Sequence, residues 1–140
     1  DDDYEFDLGK ADLLRDGSDV TLIASGVCVA NALQAAETLA QEGVSARVLN
    51  IHTIKPIDAD AVIKAASETG ALVTAENHNV IGGLGSAVAE VLAEQRPTPL
   101  ERVGVKDHFG QVGKAPYLMG VFGITAADIA KAARKAIARK

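Results

Sequence analysis

The apolar positions change period inside one stretch, and the rest of the chain is organised around it. From Ala71 to Ala75 they form a short run rich in β-formers, the pattern of a buried strand. The run stops at Glu76, Asn77, His78 and Asn79, then passes Gly82, Gly83 and Gly85. From Leu84 onward, Leu84, Val88, Val91 and Leu92 fall on one helical face. Strand, polar tip, glycine turn and helix make half of a βαβ unit. In such units, ligands and neighbouring domains meet the carboxyl end of the strand.

The same patterning predicts the elements on either side. Residues 1–8 read as linker and 9–140 as one domain, with an edge strand over Gly9 to Leu14. Asp16-Gly17 is a turn signal before an apolar strand, Val20 to Ala24; strands joined so tightly run antiparallel. Ser25 or Gly26 is placed to cap a helix burying Val29, Leu33, Ala36 and Ala40 and ending at Gly43. Val44 to Ile51 predicts a strand, and His52 to Pro56 a loop. Asp58 caps a helix with Ala59, Val62, Ile63 and Ala66 inward, closed by Gly70. The helix after the glycines runs to about Gln95, and Leu100 to Val105 predicts the last strand. Asp107 to Gly123 reads as irregular. Thr125 and Asp128 then form a capping pair for a closing helix with Ile129, Ala133 and Ile137 inward. From Val20 the order is βαβαβαβα, which implies a three-layer α/β/α fold around a mostly parallel sheet.

Composition narrows the function classes. The 140 residues are 48% hydrophobic and 24% charged, an ordinary globular mix with room for one real core. A formal net charge of -5 argues against nucleic acid, and no apolar run approaches the ~20 residues of a membrane span. No signal-peptide pattern opens the chain, and the single cysteine, Cys28, excludes an internal disulfide. Both fit a reducing, cytoplasmic setting. The sole methionine is Met119, so residue 1 is not an initiator, and the acidic start Asp1-Asp2-Asp3 is expected to be part of something longer.

Several constellations invite a chemical reading. Backbone amides at Gly82, Gly83 and Gly85 would attract a phosphate, yet Val88 stands where a dinucleotide fingerprint wants a third glycine, and no Lys-Ser/Thr follows. A tight turn with close helix–strand packing is the expectation. Glu76 and His78 share a strand face and would suit acid–base work, but no nucleophile lies near them in sequence. They are expected to bond the glycine turn or a neighbouring chain. His52, His78 and His108 all fall just beyond predicted strands, ends that share one edge of a parallel sheet, and with Glu76 and Asp107 they suggest a metal cluster. Their spacing matches no metal motif, so polar interface residues are expected, Lys55 included. Cys28 reads as a small core residue, and Lys131, Arg134, Lys135 and Arg139 as a solvated basic stripe.

These residues resemble a family. Thr53-Ile54-Lys55-Pro56-Ile57-Asp58, Thr69 through His78, and Gly82-Gly83-Leu84-Gly85-Ser86 are similar to the C-terminal domain of transketolase-like thiamine diphosphate enzymes. Gly9-Lys10-Ala11, the Asp16 to Leu22 block, Asp107-His108-Phe109-Gly110 and Gly123 to Ile129 fit the same domain's ends. Deoxyxylulose-phosphate synthases and the β-subunits of 2-oxoacid dehydrogenases share it. The Lys55-Pro56 loop and the Phe109-Gly110 block look most like transketolases, especially those split into two polypeptides. Asn77 departs from the acid that relatives usually carry there.

The resemblance implies a mixed five-stranded sheet whose first strand is antiparallel. It implies that thiamine diphosphate and a divalent metal, Mg or Ca, are held by other domains of the parent, one of which would precede Asp1. No catalytic, cofactor or metal residue is therefore expected in this chain. The parent would move a two-carbon ketol unit between sugar phosphates in the pentose phosphate pathway, as a homo-oligomer, with this domain supporting dimerisation and the active-site rim. The competing expectations are a partner-docking module of a 2-oxoacid dehydrogenase, suggested by the basic stripe, and a free-standing metal or nucleotide binder built on the histidines.

Overall fold

The computed structural model describes residues 4–140, so the acidic run Asp1–Asp3 lies outside the described residues. Five strands, β1 (Asp12–Arg15), β2 (Val20–Ala24), β3 (Ala46–Asn50), β4 (Leu72–Asn79) and β5 (Leu100–Val105), form one sheet in the order β1-β3-β2-β4-β5. β2 to β5 are parallel, and β1 alone is antiparallel. The first strand's direction is the expected one. Its partner is not β2 but β3, with Asp12 opposite Asn50. The turn at Asp16-Gly17 therefore carries the chain over β3 rather than closing a hairpin. Gly17 makes this crossing possible, because a Cβ there would lie 2.4 Å from the Ala46 backbone.

Helices cover both faces, as the near-continuous apolar strands require. On one side α1 (Cys28–Gln41) packs with α5 (Ala126–Ile137) over Val20, Leu22, Val48, Val73 and Ala75. On the other, α2 (Ala59–Thr69) packs with α3 (Leu84–Gln95) over Ile23, Leu49 and Leu72. Side chains alternate along β4: Val73 and Ala75 face α1 and α5, so Leu72, Thr74 and Glu76 face α2 and α3.

The caps are local and mostly as predicted. Asp58 accepts from the Ala61 amide at 3.1 Å, and its other oxygen accepts from Ala11 at 3.0 Å, tying α2 to the chain just before β1. Thr125 and Asp128 form a reciprocal capping box on α5. Gly70 and Gly123 end α2 and the helix before α5 in the left-handed conformation. α1 departs from expectation. It starts at Cys28 with no side-chain cap, and its buried residues are Cys28, Ala32, Ala35, Ala36 and Leu39, while Ala40 is exposed. The stretch predicted as irregular contains a helix, α4 (Ala115–Phe122), none of whose residues is buried.

Candidate functional site at the carboxyl rim of the sheet

Glu76 is the organising side chain of the rim. It is 2% exposed, and it points at the start of α3 because it shares the face of Leu72 and Thr74. Its Oε2 accepts from the Leu84 amide and its Oε1 from the Gly85 amide, both at 2.8 Å. The N-cap residue of α3 is Gly83, which has no side chain to offer. A carboxylate from the adjacent strand does the capping instead, with its negative charge at the positive end of the helix. The glycines permit this approach: a Cβ on Gly85 would lie 2.8 Å from Thr74 Oγ1, and one on Gly104 would lie 3.0 Å from Glu76 Cγ.

The rest of the turn is bonded to itself. Ser86 Oγ accepts from the Gly82 amide at 2.9 Å and donates to the Val80 carbonyl at 3.0 Å. Asn79 Oδ1 accepts from the Ile81 amide at 2.9 Å, and the Val80 amide donates to Val105 at 3.0 Å. Arg102 Nη1 donates to the Val80 carbonyl at 3.0 Å. A phosphate seeking these amides would have to displace Glu76 and Ser86. The glycine turn thus works as packing geometry, and its helix terminus is already neutralised from within.

The histidines are not gathered in one place. His78 lies inside β4 rather than beyond it, since the strand runs to Asn79. His78 and His108 line a cleft of about 480 Å³ between the β4 tip, Val27 after β2, and α4. His52 sits elsewhere. Its ring packs on Phe6 with centroids 4.5 Å apart, Nδ1 is 3.0 Å from Thr53 Oγ1, and Nε2 is 3.8 Å from Asp12 Oδ2. Lys55 is exposed on the loop beyond it. Asp107 takes a left-handed backbone, φ 57°, and accepts from Asn79 Nδ2 at 3.0 Å, which roots the excursion after β5 to the β4 tip. Among the described residues, no group of three His, Cys, Asp or Glu is placed to hold a metal ion.

Two further expectations meet the geometry. Cys28 is fully buried, and burial, followed by the negative charge of Glu76, pushes its thiol pKa up. The helix start therefore does not activate it. The basic stripe is solvated as expected, with Arg134, Lys135 and Arg139 46–68% exposed, but its cations are also paired. Arg134 pairs with Glu42 at 2.6 Å, and Glu101 takes Lys135 at 2.8 Å and Arg139 at 2.5 Å. Three of its four cations thus tie α5 to the end of α1 and to β5, which removes most of the motive for a docking stripe.

Two parts of the rim were not singled out from sequence. The Asn79–Asp107 link joins residues 28 apart and leaves no local signature. α4 did leave one: Pro116 lies in its first turn and Gly123 follows its last residue, the usual asymmetry of helix ends.

The transketolase C-terminal domain family model matches residues 9–129. The chain belongs to that family. It is 59% identical over 136 residues to the 6-deoxy-6-sulfo-D-fructose transketolase subunit SqwH of Clostridium sp. (strain MSTE9), covering 97% of this chain and 42% of the relative. It is 43% identical over 132 residues to an apulose-4-phosphate transketolase subunit of Phocaeicola vulgatus, covering 94% and 42%. Among solved structures, a split-gene transketolase described as an inactive beta4 tetramer superposes with a TM-score of 0.94 at 47% identity, covering 97% of this chain and 45% of that one. The chain thus spans less than half the length of these relatives. A transketolase C-terminal domain accounts for the mixed sheet with one antiparallel edge strand and for its helices on both faces.

Proposed function

We propose that this chain is the C-terminal domain of a two-polypeptide transketolase, bracing the subunits while the chemistry proceeds on other domains. The parent moves a two-carbon ketol unit from a ketose to an aldose. One named relative acts on a sulfonated fructose and another on a phosphorylated apulose, so the supported substrate class is a ketose with an anionic group away from its carbonyl. A cytoplasmic setting fits the free, buried Cys28.

One observation carries the division of labour. Thiamine diphosphate would need a carboxylate free to move protons at its ring and a ligand set for the cation on its diphosphate. Glu76 is the one buried carboxylate among the described residues, and both its oxygens are committed to α3. Bound thiamine supplies carbanion stabilisation, and this chain's groups do not fit it. The domain's contribution is a rigid rim, with Glu76, Ser86, Asn79 and Arg102 locking the turn that faces its neighbours.

The test has two arms. This chain alone, with thiamine diphosphate, Mg²⁺ and sugar phosphates, gives no ketol transfer; turnover would overturn the proposal. Grafted in place of the corresponding domain of the SqwH-type subunit and mixed with that subunit's partner, it supports transfer. A folded, soluble chimera without activity would refute the transketolase assignment.

A further inference from the structure

The sheet ends in two edge strands, β1 and β5. An edge strand presents unpaired amides and carbonyls to which the strand of another chain can add. β1 is four residues long, and its pairing with β3 shifts register between Leu13 and Arg15, so it offers little straight edge. β5 is the longer edge, six residues from Leu100 to Val105, and it pairs only with β4.

The ladder decides which groups of β5 face outward. The Leu72 amide donates to the Pro99 carbonyl at 2.9 Å and the Val80 amide to the Val105 carbonyl at 3.0 Å, so the odd-numbered residues turn their backbone groups to β4. Leu100, Arg102 and Gly104 therefore turn theirs away from the sheet. The chain covers these groups itself. Arg139, just past α5, donates from Nη1 to the Leu100 carbonyl at 3.1 Å, and Glu101 Oε1 holds the same nitrogen at 2.5 Å. Lys106, just past β5, donates from Nζ to the Arg102 carbonyl. Gly104 is buried. A charged donor makes a bond roughly twice as strong as a neutral one, so the amide of an incoming strand is a poor replacement for either cation.

We propose that Arg139 and Lys106 are edge guards, which occupy the outward carbonyls of β5 and so keep the strand of another copy of this chain from adding there. Glu101 is the positioning residue for one guard, because its carboxylate fixes the Arg139 guanidinium beside the Leu100 carbonyl. Each end of the sheet is thus closed by its own means, β1 by brevity and a register shift, β5 by two cations.

Sedimentation and amide hydrogen exchange on the 140-residue chain test it. Lys106→Ala combined with Arg139→Ala is expected to self-associate at least ~10-fold more tightly than wild type, because an incoming strand no longer displaces a charged bond. In the associated form the outward amides of Leu100 and Arg102 are expected to gain protection, since they pair with the added strand. Lys106→Arg combined with Arg139→Lys keeps a cationic donor for each carbonyl and is expected to behave as wild type. So is Arg134→Ala, which removes an α5 cation paired with Glu42 and away from β5. A double alanine variant that associates no more than wild type overturns the proposal. Association that leaves the Leu100 and Arg102 amides as fast to exchange as in wild type overturns it too. If the double alanine variant does not fold, Lys106→Ala alone, at an exposed position, carries the same test at the Arg102 amide. These readouts are independent of the ketol-transfer assay.

Discussion

Glu76 and Gly83 occupy adjoining space with nothing to spare: a Cβ on Gly83 would lie 1.9 Å from Glu76 Oε2. Gly83 has φ -95°, open to any residue, so its cost on substitution is steric and falls on the carboxylate that caps α3. Gly83→Ala is expected to destabilise the chain by roughly 3 kcal/mol, as overpacking combined with a lost cap. Gly82→Ala should cost less, about 1 kcal/mol, since Gly82 has φ +79° but no atom within 4 Å of its added Cβ. Urea titration of both variants checks the order; equal midpoints would contradict it.

Glu76→Gln tests the cap itself. The Leu84 and Gly85 amides need two acceptors, and the variant keeps one carbonyl oxygen while turning an NH₂ group toward the other donor. A loss of roughly 2 kcal/mol is expected, in the range for bonds to a charged acceptor. Amide hydrogen exchange locates the effect: Leu84 and Gly85 should exchange faster, while Leu22 and Val48 in the sheet centre keep the protection that global stability allows.

The parts of this fold legible in sequence are those written locally. The period change at Leu84 and the prolines at 97 and 99 bound α3 and β5, and Asp58, Thr125 and Asp128 announce their caps. α1 was harder because alanines fill both faces. With little contrast between Ala35, Ala36 and Ala40, periodicity sets the inward face about one residue out of phase. α4 lacks a polar side, so periodicity has nothing to detect, although its Pro and Gly marks were present. The partner of β1 is set by a crossing over Gly17, a contact that no local pattern encodes. At the rim, Glu76 could be read as bonding the turn or a neighbouring chain; only its register on the face of Leu72 and Thr74 decides for the turn.

The α5 ion pairs give a pH prediction. Burial alone would raise the Glu101 pKa, but hydrogen bonds from Lys135 and then Arg139 outweigh it, and the folded carboxyl sits below its usual range. A lowered folded value means the network stabilises above the ordinary glutamate titration, near ~4.3, and is lost as pH falls through the lower folded value. Glu101→Gln should therefore lose on the order of 1 kcal/mol at neutral pH, and the gap to wild type should close on acidification below about pH 4. Because Lys135 and Arg139 are at least half exposed, high salt should narrow the gap too. Thermal melts across pH and salt measure both; a gap that widens toward acid would mean that the folded Glu101 pKa is raised instead.

Cys28 offers a probe of how firmly the rim is held. Its thiol is buried under α1, with its pKa raised by burial and by the nearby charge of Glu76, so little thiolate forms and none is accessible. At pH 8 the native chain should react with a disulfide reagent at least ~100-fold more slowly than the urea-unfolded chain, with a rate set by opening of the structure. Glu76→Gln removes that charge and so lowers the thiol pKa, and the variant should label faster than wild type well below its unfolding midpoint. A native thiol that reacts as quickly as the unfolded one would mean that the start of α1 stands open.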